Sequence, residues 1–83
     1  MERKAYTLAT MKRGEAGVIK SVDASDPQVQ RLMVMGLVEG AEVAHASAAI
    51  GGDPIEFRLF GSGISLRQEH ARHFQVALLA AGD

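Results

Sequence analysis

Three histidines, His45, His70 and His73, are the side chains best suited to hold a metal ion or move a proton. His70 and His73 stand three apart, with Glu69 adjacent, on a stretch able to form one helical turn. At that spacing two imidazoles share a face, and a neighbouring carboxylate could complete a divalent-ion site. The same spacing serves two solvent-facing histidines equally well. No metal is assigned from it, and Glu69, His70 and His73 stand only as weak candidate ligands. His45 is in phase with Val43 and reads as a satisfied packing residue in the wall of a sheet. The chain has no cysteine, which excludes disulfides, thiolate sites and thiol catalysis and fits a reducing cytosol.

Other catalytic and phosphate-binding patterns are missing. Gly51-Gly52-Asp53-Pro54 lacks the lysine and following helix of a phosphate loop, and Gly61-Ser62-Gly63 lacks the third glycine of a dinucleotide loop. No Gly-x-Ser-x-Gly elbow and no nucleophile–base pair occur. The chain therefore reads as a non-enzyme without a cofactor. Its remaining chemistry is contact chemistry. Arg31 lies on the outer side of an expected helix, Val34 and Met35 fall off that helix's apolar stripe, and Leu37 sits at its end. Arg31, Val34, Met35 and Leu37 together form the candidate surface for a protein partner. A partner GTPase could also receive an arginine from Arg31 or Arg67.

The elements that must position these residues are legible in part. Asp26 is suited to cap a helix, and Pro27 suits its first position, where a missing N–H costs nothing. Val29, Leu32 and Met33 recur at helical spacing, and Gly36 ends the helix where a left-handed conformation is wanted. Leu37 then falls where it can pack back on Leu32. Strand character marks Gly17 to Val22, with Val18 and Val22 on one face and Lys20 between them. Val38 to Ala41 reads as a turn with Gly40 at positive φ. Glu42 to Ser47 is a weaker, alanine-rich strand, and Ile50 to Pro54 is a loop. Ile55, Phe57 and Leu59 alternate with Glu56 and Arg58, and Ile64 and Leu66 alternate in a returning strand, with Gly61-Ser62-Gly63 as the connection. Gln68 to His73 makes a short helical turn, and Phe74, Val76 and Leu78 form the last strand. Short strands around one helix predict a mostly β fold, a small barrel whose closure hides strand edges.

With 83 residues the chain is one domain with a small core. Residues 1–5 read as a flexible tail, 6–79 as the barrel domain and 80–83 as a fraying end. A net charge of −1 argues against nucleic acid, whose binders concentrate positive charge on one face. No secretory h-region and no run long enough to span a bilayer are present, so the expectation is a cytoplasmic protein without direct membrane insertion. A small core and sheet edges leave homo-oligomerisation open.

The ordered pattern resembles the FeoA family. The residues that carry it are Leu8, Met11, Gly14, Gly17-Val18 and Val22, then Arg31-Leu32, Gly36-Leu37 and Gly40, then Gly52-Asp53-Pro54-Ile55, and then Gly63 to Arg67, Ala71, Phe74 and Val76. Glu39 stands where proline is frequent, and Gln30-Arg31 where paired arginines are frequent. The resemblance implies an SH3-like β-barrel with one inserted α-helix and a short helical turn before the last strand. It also implies an accessory role in bacterial ferrous iron transport, through contact with the membrane transporter FeoB and its cytosolic GTPase domain. Peripheral attachment to the inner membrane would then come through that partner. The alternative is a divalent-metal-sensing domain similar to the C-terminal domain of metal-dependent repressors, although the chain lacks room for a DNA-reading helix-turn-helix.

Overall fold

The computed structural model describes residues 6–79; the expected tail over 1–5 and fraying end over 80–83 lie outside the described residues. The elements in chain order are β1 (Tyr6–Thr7), β2 (Ala16–Val22), α1 (Pro27–Val34), β3 (Glu42–Ala48), β4 (Ile55–Leu59), β5 (Ser62–Leu66), α2 (Gln68–Ala71) and β6 (Phe74–Leu78). The strands form one antiparallel sheet in the order β1-β6-β2-β3-β4-β5. A mostly β, SH3-like fold is thus present. Its sheet is not closed: β1 and β5 are both edges, so the expected removal of edges does not occur.

Alternation holds best in β4, where Ile55, Phe57 and Leu59 are buried while Glu56 and Arg58 are exposed. β2 departs from the expected pattern. Gly17 and Ile19, rather than Val18, point inward, and a register shift between Ile19 and Ser21 follows. The extra residue of a bulge resets the phase, so that Ile19 lies opposite Val76 and Val22 opposite Phe74. Without that bulge, either Ile19 or Val22 would leave the core side. The core runs through Leu8, Ile19, Val29, Leu37, Val43, Phe57 and Phe74, all fully buried.

Both ends of α1 are locally determined. The Asp26 carboxylate accepts a hydrogen bond from the Gln28 amide at 2.8 Å, satisfying a donor that the first turn leaves open. At the other end the Gly36 amide donates to the Met33 carbonyl and the Leu37 amide to the Leu32 carbonyl, at 3.0 and 3.2 Å. This pair of bonds is a Schellman motif, and Gly36 supplies its left-handed residue at φ 118°. The motif turns the chain inward, which corrects one expectation: Leu37 is fully buried and no part of a contact surface.

The connection between β4 and β5 is also tighter than expected. Leu59 pairs with Ser62, so the turn is Phe60-Gly61, and Ser62 and Gly63 belong to β5. A two-residue hairpin of this hand needs positive φ at both positions. Gly61 adopts it freely at 81°; Phe60 adopts it at 52° despite its side chain.

Candidate functional site

The C-terminal corner of α1 and the β4–β5 hairpin tip meet at Gly36. A Cβ on Gly36 would lie 3.2 Å from Phe60 Cε2 and 3.3 Å from Leu59 Cδ2, so the absence of a side chain lets the hairpin close on the helix end. The surface there is apolar. Val34, Met35 and Phe60 are 87%, 60% and 77% exposed, values that set them apart from the packed stripe of Val29, Leu32 and Met33 on the other side of the helix. Of the four residues expected at a partner surface, Arg31, Val34 and Met35 lie on the exposed side of α1; Leu37 does not. Phe60 is the residue the sequence reading missed. Its signal was available, because Phe60 falls out of phase with the inward row of Ile55, Phe57 and Leu59.

From this corner a groove of about 280 Å³ runs between α1 and the β5–α2 segment. Arg31, Leu32 and Met35 line its helix side, and Ser65, Arg67 and His70 line the other. Leu66 lies buried at its floor. No carboxylate is among the lining residues. Arg67 reaches Asp53 only at 3.9 Å, with both side chains well exposed, so this pair holds the guanidinium weakly.

Asp53 has a firmer role. It accepts a hydrogen bond from the Gln68 amide at 2.9 Å, while the Gln68 side chain donates to the Gly52 carbonyl at 2.7 Å. Arg67, at the N-cap of α2, makes no side-chain capping bond, so a residue fifteen positions away caps the helix instead. Two separate sequence runs, Gly52-Asp53-Pro54 and Leu66-Arg67, are thereby clipped together beside the groove.

The histidines do not converge. His70 lines the groove and sits 3.7 Å from Glu69, while His73 sits 3.4 Å from Asp23 on a different surface, near Ser21 and Gln75. Among the described residues no three His, Asp or Glu side chains form a group able to hold a metal ion. The hydroxyl and amide of Ser25 hold the Asp23 carboxyl below its ordinary range, with His73 adding to the same effect. His45 is buried, with its ring edge-on to Phe57 at 5.5 Å. Its Nδ1 has no hydrogen-bond partner, so the satisfied packing role expected of it is only half met. Among the described residues no helix is long and apolar enough to cross a membrane.

Comparison with known proteins places this architecture. The family model for the FeoA domain matches residues 6–78. The Fe(2+) transport protein A/Fe(2+) transporter FeoB fusion protein of Porphyromonas gingivalis is 28% identical over 74 residues; these cover 89% of this chain but only 9% of the fusion protein. The solution structure of FeoA from Chlorobium tepidum is 35% identical, with a TM-score of 0.81 over 94% of this chain and 73% of that one. Stenotrophomonas maltophilia FeoA, an SH3 domain protein crystallised with zinc, is 28% identical at a TM-score of 0.77, over 87% and 89% of the two chains. A manganese-dependent transcriptional repressor aligns at a TM-score of 0.81 over 94% of this chain and 43% of its own; at 18% identity that likeness is one of fold. With nearly all of its described residues matched, and with the cap, corner and clip that carry the sequence pattern in place, the chain belongs to the FeoA domain family.

Proposed function

We propose that this chain is a cytoplasmic accessory protein of ferrous iron uptake that acts by binding the FeoB transporter, not by catalysis. The observation that carries this reading is the exposed apolar corner formed by Val34, Met35 and Phe60, with Arg31 beside it. Exposed apolar groups clustered at one place, rather than scattered, are the usual mark of a protein contact. The P. gingivalis relative supports the choice of partner, since there a related segment and FeoB share one chain. Fusion of two modules replaces free encounter by an effective concentration of roughly millimolar, which favours partners whose separate affinity is modest.

The test is a calorimetric titration of this chain into the soluble domain of FeoB from the same organism, repeated with full-length FeoB in nanodiscs. Arg31→Glu combined with Met35→Asp is expected to weaken binding by about tenfold or more, the effect of losing a contact of over 1 kcal/mol. Undiminished binding by that double variant would remove the corner as the site. No binding by the wild-type chain to either form would remove FeoB as the partner.

A further inference from the structure

We infer that the free edge of β5 is a strand-addition site for an extended acidic segment, held in the groove between β5 and α1. The inference rests on the reading of this corner as a partner surface and specifies the chemistry of what binds there. β5 is the last strand of the sheet and five residues long. In a hairpin closed by two residues, Leu59 and Ser62 exchange hydrogen bonds, and alternation then assigns Ile64 and Leu66 to the β4 ladder. Gly63 and Ser65 therefore present their N–H and C=O groups away from β4. Outside the ladder with β4, no hydrogen bond among the described residues engages the amide of either.

Sheet edges are usually blunted by shortness, charge, proline or a bulge. Ser62-Gly63-Ile64-Ser65-Leu66 has none of these. Its Ser65-Leu66 end borders a groove whose lining carries Arg31, Arg67 and His70 and no carboxylate, although the whole chain has a net charge of −1, while the Glu56 carboxylate lies over Gly63 at the other end. A strand added there would meet Gly63 and Ser65 through its backbone, Leu32 and Met35 through one set of side chains, and the two arginines through carboxylates. A second copy of this chain is the poorer occupant, because its own β5 is uncharged and offers neither arginine a carboxylate.

The test uses an acetylated, amidated peptide of about seven residues that alternates glutamate and valine, long enough to pair along β5. Titrated into the isotopically labelled chain, it is expected to slow hydrogen exchange at Gly63 and Ser65 by about tenfold at saturation. Replacing its glutamates by lysine should weaken binding by about tenfold, as should Ser65→Pro, which removes an outward N–H at a position where an edge strand accepts proline. N-methylation of the peptide at alternate amides, used with the wild-type chain, repeats the second arm without touching the fold. Unchanged exchange at Gly63 and Ser65 under millimolar peptide, or a lysine or N-methylated peptide that binds as tightly as the parent peptide, overturns the inference. So does protection that appears with chain concentration alone, which would mark a second copy as the occupant. Full-length FeoB separates the two readings. If it binds wild-type and Ser65→Pro chains equally, strand addition falls and the FeoB assignment stands. If it does not bind the wild-type chain while the peptide protects Gly63 and Ser65, FeoB falls and the edge assignment stands.

Discussion

The two edges of the sheet are finished in different ways. β1 is two residues long and runs straight into a turn, where the Thr7 amide donates to the Thr10 hydroxyl at 2.9 Å and that hydroxyl donates back to the Thr7 carbonyl at 3.2 Å. The Leu8 amide then reaches the Phe74 carbonyl at 3.0 Å, and Leu8 itself is fully buried. That edge is closed by brevity and by local side-chain bonds. β5 is longer, uncharged and flanked by a basic groove, with an exposed aromatic at its hairpin tip. The same sheet thus ends once in a structural seam and once in an open ladder.

The contrast can be broken most sharply through its anchor. Phe57 is fully buried and opposes both His45 and Ile64 across neighbouring strands. Phe57→Ala should cost about 3–5 kcal/mol in urea denaturation, and Ile64 and Leu66 amides that stayed protected in that variant would mean that β5 is held by something other than the core. Next comes the two-position comparison along β5. Ile64→Pro removes a ladder N–H and leaves the β4 carbonyl opposite it unpaired, for a loss of about 2–4 kcal/mol. Ser65→Pro, one residue on, should leave the melting temperature nearly unchanged, and equal losses at both positions would show that the outward and inward assignments are wrong. Gly36→Ala should cost about 1–2 kcal/mol, since the new side chain must accept a left-handed conformation and also press on Leu59 and Phe60; thermal melts measure it. At the other edge, Thr10→Ala removes the acceptor for the Thr7 amide. It should cost about 1 kcal/mol, with faster exchange at Leu8 and no change at Ser65.

The smallest expected effect depends on pH. Because Asp23 is held below its ordinary range, chiefly by Ser25, its contribution is present above the unfolded-state value and fades as pH falls through the lower folded one. Wild-type and Asp23→Asn chains should therefore differ in urea midpoint near neutrality and converge below about pH 4. A difference that persisted or grew in acid would contradict the sign. The β5 edge, remote in sequence from Asp23 and facing a different groove, should not respond.

How much of this was legible depended on how local the cause was. α1 could be read from end to end, because Asp26, Pro27, Gly36 and Leu37 act within a few residues of one another. β4 could be read because strict alternation survives wherever no bulge intervenes. The bulge in β2 could not, since the extra residue exists to reconcile Ile19 and Val22 with a partner strand more than fifty positions away. Leu37 was placed correctly in the helix stop and wrongly on the surface. The local pattern says that it folds back, but only the packed sheet decides that it is covered completely. The clip from Asp53 to Gln68 was visible as two family-like runs with no stated relation, and became a cap only when the chain brought them together.

Side-chain type and backbone freedom over a few residues establish the order of the elements from β2 to β6, the capped helix and the apolar rows of β4, β5 and β6; the two-residue β1 carries no such local signal. Tertiary structure alone decided which strands are edges, where the hairpin turns, that Phe60 joins the helix corner, and that Arg31 and Arg67 share one groove. Those outcomes depend on long-range register and on where the sheet stops, and no short window of residues encodes the position of a neighbour that is distant in the chain.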